Sequence, residues 1–529
     1  MKNLLKIISV IIGGFWCAYL FDGQSIGLNL PLFGIYVLII SFVFRKADRP
    51  GLLFYIVLTG WMVTSFFTVY FNSALAICMN IISLVFLCGL IHASKIRSLV
   101  YGFLHAMVIF GLSVPKFFAG PFLFFRNTGV TKSKRSRISL AILLIVLVLI
   151  LFTTLFASSN PVFNDLVNKI FGNFFNNLWN AIKQISFLNI HLFILGALVC
   201  TVFCIRIANN FFGNLDSGSN DNIYRKRRKP IMKRRFPARK LRNENRFGVA
   251  LMLLLNILIL IFNVIDVKWV WFDFVWNGDY LKPFVHNGTF ILIFTILLSI
   301  TMVLLFFRKN LNYYSKAKTL KVLVYIWLFQ NMVVATSVGM RTVRYIQNFN
   351  LAYLRIGIFF FLLAVMFGLI TVFIKIYKRK SAYYLLRKNV LFIFCGLCLM
   401  TTFNWNRFIA VYNVQHSSQG YFHRDYMVCM PDNVLPVLLA NYQLLDYPFV
   451  NDYYSHEYVY SEYNIQSFKT NYLYLLEDKL TRFTFEYPFK SWQSWNYADY
   501  LAYKEVCIQV KNLPVVTKES YHYYIERSY

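Results

Sequence analysis

RKRRKPIMKRRFPARKLRNENR (residues 225–246) runs directly into FGVALMLLLNILILIFNVI (247–265). The first segment holds twelve Lys/Arg and one acid, Glu244; the second holds no charge at all. A block of positive charge set against about 20 apolar residues is the signature of a helix that crosses a bilayer, with its basic flank held on one side. Working outward, the same alternation recurs along the chain. We read crossings at 4–21, 27–44, 51–71, 73–91, 138–157, 187–207, 247–265, 289–307, 321–340, 356–374 and 389–405, eleven in all. A twelfth apolar stretch, 98–126, is interrupted by Pro115, Lys116 and Pro121 and is expected to form a hairpin, re-entrant or interfacial segment.

Composition agrees. The chain of 529 residues is 58% hydrophobic and only 14% charged, with 55 Phe and a mean hydropathy of +0.53. Soluble domains carry about 25% charged residues, so a water-soluble enzyme is excluded. The fold class expected is all-α: a polytopic transmembrane helical bundle with a small, mainly helical C-terminal extramembrane module. The net charge of +32 is spread over short loops between spans, which points to topology and lipid headgroups before nucleic acid.

The basic clusters set the direction. Lys2 and Lys6, Arg45, Lys46 and Arg49, Lys95 and Arg97, Lys132 to Arg137, the 225–246 block, Arg308 to Lys318, and Lys375 to Lys388 fall on one side if the N-terminus is cytoplasmic. Asp22, Asp165, Asp266, Asp273 and Asp279 fall on the other. An odd number of crossings then places the tail outside. Arg341, Arg344 and Arg355 break the pattern. The tail from Arg407 carries 10 basic and 13 acidic residues, in contrast to the 44 and 9 before it. The first span has no small-residue cleavage site after it and reads as an uncleaved helix.

The organisation expected is an N-terminal transmembrane region (1–207) with an outer amphipathic helix near 161–184, a basic cytoplasmic loop (208–246), a C-terminal transmembrane region (247–405) and a Tyr-rich extracytoplasmic module (406–529). In the amphipathic helix, apolar residues recur at three- and four-residue spacing. The basic loop opens with DSGSND, read as a flexible start, and its 225–246 block is expected to meet anionic lipid headgroups. The module contains twenty of the 35 tyrosines. In it, Asp432 is expected to cap a helix over NVLPVLLANYQLL, and 467–479 also reads as helix. Tyr suits a surface partly resting on the bilayer. Cys429 and Cys507 are the module's two cysteines and could pair in an oxidising compartment.

Chemistry is sparse. No nucleotide-binding glycine loop, zinc-hydrolase helix or serine-nucleophile elbow is present. Cys395-Gly-Leu-Cys398 lies inside a span without further ligands, so neither metal nor cofactor is expected. Polar groups within spans are costly and are sites by default. Asn256 and Asn263 share one helix face, and Gln330 and Asn331 lie mid-span with Ser337 and Arg341 beyond; Asn80, Ser83, His105 and His191 are further cases. They can be ligand-binding or simply bond helices together. The outer loop 266–287 gathers Asp266, Asp273, Asp279 and His286 among Trp269, Trp271 and Trp276, as a cation or acid–base site or as an ordinary aromatic belt.

Three stretches carry a resemblance: FVHNGTFILIFTILLSITMVLLFFR (284–308), LVYIWLFQNMVVATSVGMRTVRYIQNFNLAYLRIG (323–357) and NWNRFIAVYNV (404–414). They resemble an uncharacterised family of bacterial multi-pass inner-membrane proteins, the DUF4153/DUF4173-like group of domains of unknown function. The matching positions are His286, Gly288 and Thr289; Trp327, Gln330 and Asn331; Arg341, Tyr345 and Ile346; and Asn404, Trp405, Ile409, Ala410, Tyr412 and Asn413. RDYMVCMPDNVLPVLLA (424–440) is similar to the family's tail, with Met427 and Cys429 departing from it. The similarity covers about 247–440 and implies a bacterial inner membrane. It assigns no catalytic residue. Ligand-site candidates are therefore His286, Gln330, Asn331, Arg341, Tyr345, Asn404 and Asn413.

Three functions fit. The first is a non-enzymatic envelope scaffold or signalling protein with an envelope protein partner and no nucleic acid. The second is a lipid-linked glycosyltransferase-like enzyme, for which Asp22 in the first outer loop is the candidate catalytic acid. The third is a small-molecule transporter.

Overall fold

The computed structural model describes residues 2–44, 50–127, 187–204, 211–223, 238–273, 278–307, 310–445 and 472–511. The described residues form helices and turns, with no strand beyond one isolated bridge between Asn222 and Lys380. In the first half these are α1 (Lys2–Phe21), α2 (Asn29–Phe44), α3 (Leu52–Tyr70), α4 (Ala74–His92), α5 (Leu99–Asn127), α6 (Phe187–Cys204) and the short α7 (Phe211–Gly218). The second half contributes α8 (Ala238–Val267), α9 (Gly278–Phe306), α10 (Lys318–Phe349), α11 (Tyr353–Tyr377) and α12 (Ala382–Met400). The tail adds α13 (Trp405–Gln415), α14 (Arg424–Val428), α15 (Leu435–Leu439), α16 (Tyr472–Glu486) and α17 (Tyr497–Lys511). Seven of the described helices are long and apolar enough to cross a membrane, and four shorter apolar helices accompany them. The outer amphipathic helix expected near 161–184 and the span expected at 138–157 lie outside the described residues.

The pattern of burial is that of a membrane protein. In α8, Leu254, Leu258 and Ile265 are 63–65% exposed while Asn256 and Asn263 are buried. A helix in water would invert this; lipid solvates leucine and rejects unpaired amides. Close packing between helices uses small residues. A Cβ at Gly196 would lie 2.2 Å from Cys17 Cβ, and one at Gly13 2.3 Å from Cys200 Sγ, so α1 and α6 meet backbone to backbone and antiparallel.

The connections gather at two ends of the bundle. At one, which we call the basic end, the chain after α7 meets the α11–α12 turn: Ile223 N–H donates to Arg379 O (3.1 Å) and Ser381 N–H to Asp221 O (2.8 Å). At the tail end, Leu28 N–H donates to Trp495 O (3.1 Å), Ser494 Oγ to Gln24 Oε1 (2.9 Å), and Tyr70 stacks on Tyr497 at 4.8 Å. α1 starts at the basic end, because it runs antiparallel to α6, which leads into α7. The start of α1 and the tail therefore lie at opposite ends of the bundle.

Four expectations change. Residues 99–127 form one continuous helix rather than a hairpin or re-entrant segment. At 1.5 Å per residue it is about 43 Å long. Pro115 and Pro121 do not break it, since unwinding in lipid would orphan more backbone groups than two prolines remove. The basic loop 208–246 contains α7, which takes in the first three residues of the DSGSND stretch read as a flexible start, and residues 238–246 are the first turns of α8. Asp266 is not in an outer loop: α8 runs through it and ends in a π turn, Lys268–Phe272. Asp432 does not cap α15; its carboxylate lies 3.7 Å from Lys479 Nζ and 3.9 Å from Arg482.

Packing divides the core in three. α1–α6 share one cluster with Phe394 and Cys398 of α12, α8–α11 share a second, and the tail forms a third with Ile346, Leu351 and Ile356 at the α10–α11 junction.

Candidate functional site

α8 and α10 both run from the basic end to the tail end, with α9 returning between them. Their shared face repeats every seven residues, about two turns, and this brings the buried polar residues into register. Gln330 Nε2 donates to Asn256 Oδ1 (3.0 Å), while Asn256 Nδ2 donates to Leu323 O (3.0 Å). One heptad on, Asn263 Nδ2 donates to Gln330 O (3.2 Å). Next, Asp266 accepts from Ser337 Oγ and from Arg341 Nη2. Its side chain is 3% exposed and that of Arg341 5%. At the tail end, Arg344 Nη2 donates to Trp271 O (3.0 Å), a carbonyl freed where α8 ends.

This seam accounts for the basic residues that broke the charge pattern. Arg341 is neutralised by Asp266. Arg355, in the first turn of α11, donates to Phe349 O and Asn350 O, the last carbonyls of α10, where a cation also meets the negative end of the helix dipole. Its guanidinium lies 4.6 Å over the Tyr345 ring. Neither arginine is a loop charge on the wrong side.

The family-like residues of the tail build a second assembly. Asn350 adopts φ +63°, the left-handed region that Asn tolerates. Asn413 grips the next residue by both backbone groups: Leu351 N–H donates to Asn413 Oδ1 (2.8 Å), and Asn413 Nδ2 donates to Leu351 O (2.9 Å). Asn350 Nδ2 donates to Tyr421 O (3.1 Å), and Tyr421 N–H to Asn348 O (2.8 Å). Asn404 caps α13 by accepting from Arg407 N–H (3.1 Å). In the tail itself, Lys479 is buried and its Nζ donates to Val428 O (3.0 Å) and to Met430 O. Burial lowers its pKa below the ordinary lysine value, with Asp432 acting against that shift.

The structure thus joins Gln330, Arg341 and Asp266 in one seam, and places Asn413, Asn404 and Tyr345 in another assembly at the tail end. Asn331 turns back on its own helix, donating to Trp327 O (2.7 Å). Asp22 is half-buried in the α1–α2 turn and Asp273 is exposed past the π turn. The side chains of Asp279 and His286 lie outside the described set. Cys429 and Cys507 are free thiols, with no bridge between them. Among the described residues, no three His, Cys, Asp or Glu side chains cluster as metal ligands would. The seam's amide and hydroxyl donors are spent, and its carboxylate is paired. Asn263 Oδ1, Gln330 Oε1 and Asn331 Oδ1 are buried without a hydrogen bond, which carbonyl oxygens tolerate better than N–H groups do.

Sequence reasoning passed over Asn350 and Lys479, whose residue types are ordinary in a tail or turn, and met Arg355 only as an exception to the charge pattern. It also passed over Asp216 and Asp221. There a signal existed: two acids in an otherwise cationic stretch.

Residues 32–440 match the domain of unknown function DUF4153, and the chain belongs to that family. The match reaches back through α2–α7, well beyond the 247–440 expected from motifs. No curated protein and no solved structure matches the chain.

Proposed function

We propose that this DUF4153 member is a non-enzymatic scaffold of the bacterial inner membrane, with its basic end in the cytoplasm and its Tyr-rich tail outside, holding an envelope protein partner at the tail. The observation that carries this reading is how the buried polar groups are used. Asp266 and Arg341 pair with each other, Asn413 bonds both backbone groups of Leu351, and neither set lines the open cavity of about 420 Å³ at the basic end. Polar residues arranged this way set helix register and fix the tail to the bundle; a substrate site would leave some of them facing a pocket.

The orientation test uses Cys429, which is exposed. An impermeant maleimide should label it in intact spheroplasts, and labelling should fall in a Cys429→Ala variant that keeps Cys78 and Cys507. Labelling only after lysis would reverse the orientation. The partner test places a photo-crosslinker at exposed Tyr421 or Tyr500 in living cells. A discrete protein adduct is expected. No adduct, together with substrate turnover by the isolated protein that Asp22→Asn abolishes, would replace the scaffold with an enzyme.

A further inference from the structure

The cavity at the basic end lies where three helix ends meet. The first turn of α3 supplies Gly51, Leu52, Leu53 and Ile56; the α4–α5 link supplies Ser94, Lys95, Ile96 and Arg97; α12 supplies Arg387, Lys388 and Leu391. Four of these eleven side chains are cationic and none is acidic. Among the described residues, the acids that face the cluster come from the α7 region and are already engaged. Asp216, fully buried, accepts from Arg97 N–H (2.7 Å) and from Tyr383 Oη (2.6 Å). Asp221 pairs with Arg387. Arg97 is further held by donating to Asp216 O (2.9 Å) and Ser219 O (2.7 Å). Four cations less two carboxylates leave two charges, those of Lys95 and Lys388, both exposed and without an ion pair among the described residues. The start of α3 adds to the field: Gly51 caps it without a side-chain hydrogen bond, so the positive end of the helix dipole stays open to an anion.

The walls are as informative as the charges. Leu52, Leu53 and Ile56 lie in the first two turns of α3 and Leu391 in the third turn of α12, two helices long and apolar enough to cross a membrane, and Leu52 is 77% exposed. A cationic mouth that continues into a lipid-facing apolar wall matches a phosphate group carrying acyl chains. The volume, about 420 Å³, falls within the range of roughly 300–1,000 Å³ for small-ligand pockets. We propose that this cavity binds the phosphate of an anionic glycerophospholipid headgroup, with Lys95 and Lys388 as the direct counter-charges and Arg97 and Arg387 as the rigid frame. None of its lining residues belongs to the 225–246 basic segment, and the proposal does not depend on the scaffold reading.

The test is equilibrium binding to the full-length protein in zwitterionic micelles, using dioctanoyl-phosphatidylglycerol, dioctanoyl-phosphatidylcholine and inorganic phosphate as three probes. Each basic residue near a membrane surface contributes about 1 kcal/mol, and 1.4 kcal/mol is tenfold in affinity. Lys95→Gln with Lys388→Gln should therefore weaken phosphatidylglycerol binding by roughly ten- to thirtyfold. Lys95→Arg with Lys388→Arg should restore it, and both double variants should melt with the parent protein. An unchanged affinity in the Gln variant, or equal binding of phosphatidylcholine, would overturn the proposal. Inorganic phosphate binding as tightly as the lipid would assign the cavity to a soluble phosphate ligand and overturn the lipid assignment.

Discussion

Replacing Arg341 by Met keeps most of the side-chain volume on α10 but strips the counter-charge from Asp266. That carboxylate is 3% exposed and would keep only Ser337 as a partner. Removing one member of a buried pair leaves an uncompensated charge, typically at about 3–5 kcal/mol. Asp266→Asn should cost a comparable amount in the other direction, because it strands a guanidinium whose side chain is 5% exposed. The double variant, Asp266→Asn with Arg341→Met, leaves no charge behind and should lie within about 2 kcal/mol of the parent protein. The coupling between the two positions is then about 4 kcal/mol or more, above the roughly 0.5–3 kcal/mol usual for contacting pairs. The assay is reversible unfolding in mixed micelles, following tryptophan fluorescence, with all four proteins measured in one detergent. If the double variant loses the sum of the two single losses, Asp266 and Arg341 do not compensate each other, and the seam is not what registers α8 against α10.

Other outcomes follow from the same packing. Asn413→Ala removes both hydrogen bonds to Leu351 and leaves two buried backbone groups unpaired, at about 2–4 kcal/mol; limited proteolysis should then cut the tail before the bundle. Lys479→Ala should loosen the tail by about 1–3 kcal/mol by orphaning Val428 O and Met430 O. Its titration has a defined sign. The folded value is lowered from 10.5 by burial, so between the two values the unfolded chain binds more protons, and tail stability should rise with pH towards 10.5. Lys479→Met should abolish that rise in an unfolding series across alkaline pH. At Gly89 an added Cβ would lie 2.0 Å from Gly102 O, so Gly89→Ala must push α4 from α5 and should cost about 1–3 kcal/mol in thermal unfolding.

Most of the architecture was legible because partition into lipid is nearly additive along a chain. Runs of apolar residues located the helices, and clustered Lys and Arg marked one end of the bundle, without reference to any contact. The two readings that failed most instructively were local rules applied without the solvent. Pro115 and Pro121 end helices in water, where a freed carbonyl finds a hydrogen bond at once; in lipid the helix is the cheaper state. Asp266 looked like a loop acid because nothing within α8 itself can neutralise it.

What the sequence alone determined is the membrane bundle, its charge asymmetry and its family-like motifs. Only the tertiary structure decided what the polar residues do. Asp266 meets Arg341 across 75 positions, Asn413 meets Leu351 across 62, and Arg97 meets Asp216 across 119. A hydropathy or charge pattern scores each residue against its solvent. A buried ion pair or amide clasp exists only once two distant helices stand in register, and its energy depends on the geometry of the pair.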